Sequence, residues 1–172
     1  MNHLLEPPFR SPMSAITDSA QRARILYVED DETIRCLVEE LLTRAGYFVT
    51  TVSDGMEGWS TLASDRFDLV ITDNNLPRMT GMEIIARARM KGLMVPVIVA
   101  SGFAELFMGA ENDWLRVAAL LQKPFGAEEL LATVEQVLRD ASSARAVVQA
   151  SSLALREATT NAESYRRWGI NE

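Results

Sequence analysis

Four short apolar runs in this chain each lead into a polar residue able to do chemistry, and that pattern restricts the fold more than any other feature. Ile25-Leu26-Tyr27-Val28 runs into Glu29-Asp30, and the run beginning at Asp68 and ending at Thr72 leads into Asp73. Val95–Ala100 leads into Ser101-Gly102, and Ala118–Leu121 leads through Gln122 into Lys123-Pro124. Short, continuously apolar runs rich in Val and Ile fit strands covered on both faces, as in a parallel sheet. Open α/β sheets place their chemistry at the carboxyl ends of such strands, the one edge where successive strands can build a shared site.

The segments between the runs read as helices. Asp31 is an N-cap for a helix whose apolar residues Ile34, Leu37, Val38, Leu41, Leu42 and Ala45 fall on one face, and Gly46 stops it. Tyr47–Val52 adds a strand rich in aromatic and β-branched residues. A helix over 55–63 follows, with Met56, Trp59 and Leu62 on one side. Thr80 and Glu83 form a capping box for a helix running to about Lys91. Segment 104–117 is interrupted by Gly109 and by Glu111–Asp113, which predicts a short or irregular helix. Glu128–Leu138 is the fifth helix, with Leu130, Leu131, Val134, Val137 and Leu138 inward.

Five strand–helix units predict a doubly wound, five-stranded parallel sheet with right-handed crossovers. If strands one and three are neighbours, as in the flavodoxin-like order 2-1-3-4-5, the acids at their tips meet at the switch point. Residues 1–22, with Pro7, Pro8 and Pro12, read as a flexible leader; residues 23–140 form the α/β domain, and 141–172 a helical tail.

Composition excludes several classes of function. The only histidine is His3, in the leader, so the folded part holds no Ser-His-Asp or Cys-His arrangement and no His-ligated zinc. A phosphohistidine donor would have to come from another protein. The single cysteine, Cys36, permits no internal disulfide, which fits a reducing cytoplasm. A net charge of −7 disfavours nucleic acid as a partner. No apolar run reaches the roughly 20 residues that membrane insertion needs, and no signal peptide is legible.

Glu29, Asp30 and Asp73 at one edge repel unless a cation offsets them. Oxygen-only ligands suit Mg2+, with the backbone carbonyl of Asn75 as a further donor. Lys123 adds a second positive charge, Ser101 offers a hydroxyl to a phosphoryl oxygen, and Asp73 is placed to attack phosphorus. Taken singly, each feature has a plainer reading: Asp73 as a turn former, the acid pair as a solvated helix start, Ser101-Gly102 as a turn, Lys123 as an exposed strand end. Their arrival at successive strand tips favours a joint site.

ILYVEDDE (25–32), DNNLPRMTG (73–81), VIVASG (97–102) and QKPF (122–125) together resemble the receiver domain of two-component response regulators, over about Arg24 to Arg139. The resemblance implies that Asp73 is the phosphoacceptor. Glu29 and Asp30 would hold Mg2+, Asp30 directly. Ser101 would move toward the phosphoryl group and Lys123 contact it, with a cis bond to Pro124. The implied partners are a histidine kinase or histidine phosphotransfer protein, and a downstream protein target or second copy met through the fourth and fifth helix region and the tail. The implied reaction is the domain's own phosphorylation and dephosphorylation rather than enzymatic turnover of a substrate. One position departs: the family usually has Tyr or Phe three residues before the lysine, and here it is Leu120.

The alternative function is a pseudo-receiver, a phosphorylation-independent binding or dimerisation module. A haloacid-dehalogenase-like hydrolase would want an acid where Asn75 stands, and a flavodoxin would want a Ser/Thr-rich loop after the first strand. Residues 140–172 are too short for a DNA reader and carry balanced charge, so a stand-alone receiver is expected. No Gly or Pro occurs between Gly126 and Gly169, and Val137, Ala141, Ala144, Val148, Ser151, Leu155, Ala158, Ala162 and Tyr165 follow 4-3 spacing. That predicts either an extended fifth helix or a sixth after a break near Ser142-Ser143, packed on a partner or a second copy; the alternative is a frayed, partly helical tail, since Ser and Ala are weak core residues.

Overall fold

The structure, a computed structural model, describes residues 22–102 and 114–167, with side chains as far as residue 154. Strands β1 (Arg24–Val28), β2 (Phe48–Val52), β3 (Leu69–Asp73), β4 (Val97–Ser101) and β5 (Ala119–Gln122) form one parallel sheet in the order β2-β1-β3-β4-β5. This is the expected order, and it makes β1 and β3 neighbours. The register pairs Val28 with Thr72, Asp73 with Ala100, and Ser101 with Gln122, so the carboxyl ends of the inner strands are level.

Helices α1 (Glu32–Arg44), α2 (Gly55–Ser64), α3 (Gly81–Met90) and α4 (Ala127–Arg167) cover the two faces. Each of the first three begins on a side chain that satisfies an otherwise orphaned N–H. Asp31 accepts from the Ile34 N–H, Asp54 from Glu57, and Thr80 from Glu83 in a reciprocal capping box. Alternation along the strands divides the core. Leu26, Val28, Val70, Val97 and Val99 cluster with Leu62, Ile84, Ile85 and Ala88 of α2 and α3. Ile25, Tyr27, Leu69, Ile71, Ile98, Ala100 and Leu121 cluster with Val38 and Leu42 of α1 and with Leu130, Val134 and Val137 of α4.

Two details differ from the periodic pattern. Leu37, expected inward, is 57% exposed; it lies at a groove beside Pro124 and Phe125, outside the narrower stripe of α1 that meets the sheet. On α2, Met56 is exposed and the buried face is Gly55, Gly58 and Leu62. A Cβ on Gly58 would come within 3.0 Å of Val28, and one on Gly55 within 1.7 Å of the Met79 carbonyl oxygen, so bare backbone is what lets α2 close on β1 and on the loop after β3.

At the carboxyl end the chain takes the extended-helix alternative rather than the one with a break. α4 runs unbroken for 41 residues, about 60 Å at the usual helical rise. Ser142 and Ser143 do not break it, because their hydroxyls donate back to the Leu138 and Arg139 carbonyls one turn earlier, at 2.8 and 3.0 Å. The helix is pinned to the sheet's far edge by Arg145, whose guanidinium lies 3.1 Å from Asp68. Beyond that point Val147, Val148 and Leu153 are exposed. Most of the expected irregular helix at 104–117 lies outside the described residues; within the described part, Trp114 and Leu115 make a single turn that buries Leu115.

Two predictions follow from these contacts. Gly55→Ala should lower the free energy of unfolding by about 3 kcal/mol in a urea titration, since helix-favouring alanine here meets backbone rather than a yielding side chain. Asp68 supports a pH-dependent increment. Burial opposes its charge, but the Arg24 N–H and the Arg145 guanidinium outweigh burial and hold the carboxyl below its ordinary value. Such a lowered group stabilises the fold above the unfolded pKa of about 3.9 and loses that contribution as pH falls through the folded value. Asp68→Asn should therefore cost about 0.5 kcal/mol at pH 7, a figure reduced by the pair's exposure, and the gap to the unaltered chain should close at more acid pH.

Candidate functional site

Strand alternation delivers three of the charged residues to one side of the sheet edge. Ile25, Tyr27 and Glu29 alternate along β1 and just past it; Leu69, Ile71 and Asp73 do so along β3; Ala119, Leu121 and Lys123 do so along β5. Each series starts in the core layer beneath α1 and α4 and ends in the site. Asp30 and Ser101 continue the opposite parity, that of Val28 and Val99.

The Lys123 ammonium lies 2.6 Å from Glu29 Oε2 and 2.6 Å from Asp73 Oδ2. Glu29 is 1% exposed and Asp73 only 9%, so both carboxylates sit where an uncompensated charge would be costly. Burial opposes the charge on Lys123 too, but its bonds to Asp73 and Glu29 outweigh burial and hold the ammonium above the usual lysine value. Carboxylate oxygens of Glu29, Asp30 and Asp73 lie within 4.8 Å of one another, with Asp30 facing solvent. An all-oxygen set of this kind, open on one side, fits a hard divalent cation that keeps part of its water shell.

The loops that carry these groups are tied down by backbone contacts. The Asn75 N–H donates to Asp73 Oδ1 at 2.9 Å, which orients the carboxylate from the loop side. Asn74 accepts from the Met82 N–H, and α3 begins so close to β3 that a Cβ on Gly81 would lie 2.3 Å from the Asp73 carbonyl oxygen. Ser101 is buried at the end of β4, and its carbonyl accepts from the Lys123 N–H at 3.0 Å. The Lys123–Pro124 peptide bond is cis. Leu120 is half-buried against the α2 and α3 layer. Among the described residues, no buried side-chain nitrogen or oxygen lacks a partner.

Three further residues join the site without a signal of their own in the sequence. The Tyr27 hydroxyl donates to Glu29 Oε2 at 2.9 Å, and burial together with the adjacent Glu29 charge pushes its phenol far above the usual range, so it acts as a donor. Arg35, one turn into α1, donates to the Glu29 and Asp30 carbonyls at 2.9 and 3.1 Å and so holds the acid pair's backbone. Arg78 adopts φ +65° in the loop after β3 and pairs with Asp54 at the start of α2, while the Gly55 N–H donates to the Pro77 carbonyl. The bond to Arg78, and then the Glu57 N–H, hold the Asp54 carboxyl below its ordinary value. Period-2 alternation would have put Tyr27 and Glu29 on one face, but only the folded distance shows that the ring is long enough to reach.

Comparison with known proteins agrees with this geometry. A family model described as the response regulator receiver domain matches residues 25–135. The response regulator receiver protein CpdR of Brucella abortus is 33% identical over 115 residues, which cover 67% of this chain and 96% of that protein. The alkaline phosphatase synthesis transcriptional regulatory protein PhoP of Bacillus subtilis is 34% identical over 116 residues; the match covers 67% of this chain and 48% of PhoP, so the chain spans about half of that longer relative. Among solved structures, the chemotaxis response regulator CheY4 of Vibrio cholerae superposes with a TM-score of 0.62 at 34% identity, covering 67% of this chain and 98% of CheY4. The response regulator TrrA of Thermotoga maritima, solved in complex with Mg2+ and BeF, gives 0.61 at 29% identity over 67% of this chain and 98% of TrrA. The five-stranded order, the clustered acids bridged by a lysine and these matches lead to one assignment: the chain belongs to the response regulator receiver domain family, the phosphoacceptor signalling modules of two-component systems.

Proposed function

We propose that Asp73 is the phosphoacceptor of this receiver, taking its phosphoryl group from a phosphohistidine on a histidine kinase or phosphotransfer protein. The observation that carries the reading is the Lys123 ammonium held between Asp73 and Glu29, with Asp30 beside them. A carboxylate oxygen of Asp73 attacks phosphorus, the new P–O bond forms as the donor's P–N bond breaks, and the departing imidazole takes up a proton. Lys123 follows the charge that moves onto the phosphoryl oxygens, and Ser101 donates its hydroxyl to one of them. Glu29, Asp30, Asp73 and the Asn75 carbonyl would hold Mg2+, which when bound supplies positive charge against the phosphoryl oxygens. Because the chain's one histidine is His3, the donor is assigned to a second protein. The only reaction assigned to the chain is its own phosphorylation and dephosphorylation, in a cytoplasmic pathway.

We also read residues 23–140 as the receiver and 141–172 as a helical extension that meets a second copy or a downstream target. The exposed Val147, Val148 and Leu153 beyond the Arg145 pin support this, since an isolated helix of that length is marginal in water without a packing partner.

Incubation with acetyl phosphate and Mg2+ should add one phosphoryl group by intact mass, and Asp73→Asn or chelation of Mg2+ should abolish the adduct. A chain that takes up no phosphoryl group and binds no Mg2+ would be a pseudo-receiver. Lys123→Met should slow phosphorylation by about a hundredfold, the usual scale for losing a fixed charge aimed at a transferring group, with the fold retained in circular dichroism. For the extension, removal of residues 146–172 should reduce the particle mass in light scattering by more than the mass of the deleted residues; an unchanged oligomeric state and unchanged target binding would remove that part of the reading.

A further inference from the structure

The buried phenol of Tyr27 does more than fill the core. Its ring packs in the layer between the sheet and helices α1 and α4, and its neighbours on that face, Ile25, Leu69, Ile71 and Leu121, are aliphatic. Packing alone calls for the ring and not for the hydroxyl. The hydroxyl instead reaches the site edge and donates to Glu29 Oε2, the same oxygen that accepts from Lys123. Two donors of fixed origin, one rising from the core and one from the β5 end, thus converge on a single oxygen of a carboxylate that is 1% exposed. Neither bond goes to the second oxygen, Oε1. A carboxylate held at one oxygen by two donors from different strands cannot rotate freely about its last bond, so the direction in which Oε1 points is set.

We propose that Tyr27 is a positioning residue of the phosphoacceptor site, fixing the Glu29 carboxylate so that Oε1 is presented to the divalent cation and Oε2 is kept for Lys123. This rests on the reading of the acid cluster as a cation site. Partners that orient a metal ligand from behind set its affinity as well as its direction. Without the hydroxyl, Glu29 is free to turn both oxygens between Lys123 and the cation, and part of the binding energy goes into ordering it. Tyr27 touches neither phosphoryl group nor cation, so its effect falls on cation affinity rather than on the attack by Asp73.

Calorimetric titration of MgCl2 into the full chain tests this. Tyr27→Phe keeps the ring and removes only the hydroxyl; it should weaken Mg2+ binding by about tenfold. With acetyl phosphate, the Mg2+ concentration giving half the maximal rate should rise in step, while the rate at saturating Mg2+ stays within about twofold of the unaltered chain, the split expected when binding alone is lost. Tyr27→Met, whose flexible side chain fills core space without a hydroxyl, carries the same expectation if the phenylalanine variant does not fold. Unchanged Mg2+ affinity in a folded variant overturns the proposal and leaves Tyr27 a core residue. Equal loss at limiting and saturating Mg2+ overturns it as well. A chain with its tyrosine intact that binds no Mg2+ overturns the cation-site reading itself, and that outcome is visible before any variant is made.

Discussion

The ammonium of Lys123 is the constraint on which the rest of this site depends. Two nearly buried carboxylates, Glu29 and Asp73, share it at 2.6 Å each, and without it their mutual repulsion and loss of hydration would oppose the strand pairing that brings them together. The three residues come from three strands that are far apart in the chain. They meet because β3 lies beside β1 and because β5 closes the same side, so the charge balance is a consequence of sheet order rather than of any local motif.

Packing around the site works mainly by bringing backbone close to backbone. α3 starts against the Asp73 carbonyl because Gly81 has no Cβ, and α2 starts against the Met79 carbonyl because Gly55 has none. The loop after β3 is therefore gripped at both ends, with the Arg78–Asp54 pair fastening it to α2. Such contacts hold the loop without making it apolar, and they leave Asp30 exposed beside the nearly buried Asp73.

Much of this was legible in the chain itself. The apolar runs marked the strands to within about a residue or two at each end, the capping signals at Asp31 and at Thr80 with Glu83 placed two helix starts, and the strand-tip residues Glu29, Asp30, Asp73, Ser101 and Lys123 all fall at the one sheet edge. Tyr27, Arg35 and Arg78 were not legible as site residues, because a tyrosine in an apolar run reads as core and an arginine on a helix or loop reads as solvated surface. The helical pattern also overstated the inward face of α1: Leu37 has the right spacing but stands beside a groove, and periodicity counts positions without knowing how wide the facing surface is.

Local physics, readable residue by residue, determined where strands and helices begin and end, which side of each strand is buried, and which polar residues stand at the strand tips. Those properties depend on alternation, capping and backbone freedom, and they act over a few residues. Tertiary structure alone decided the rest: that Lys123 bridges two acids rather than one, that a phenol from the core shares Glu29 with it, and that Arg145 on α4 reaches Asp68. Each of these turns on distances of a few ångströms between residues remote in sequence, and such distances are fixed only when the sheet, its register and the glycine-permitted approaches of the helices are all in place.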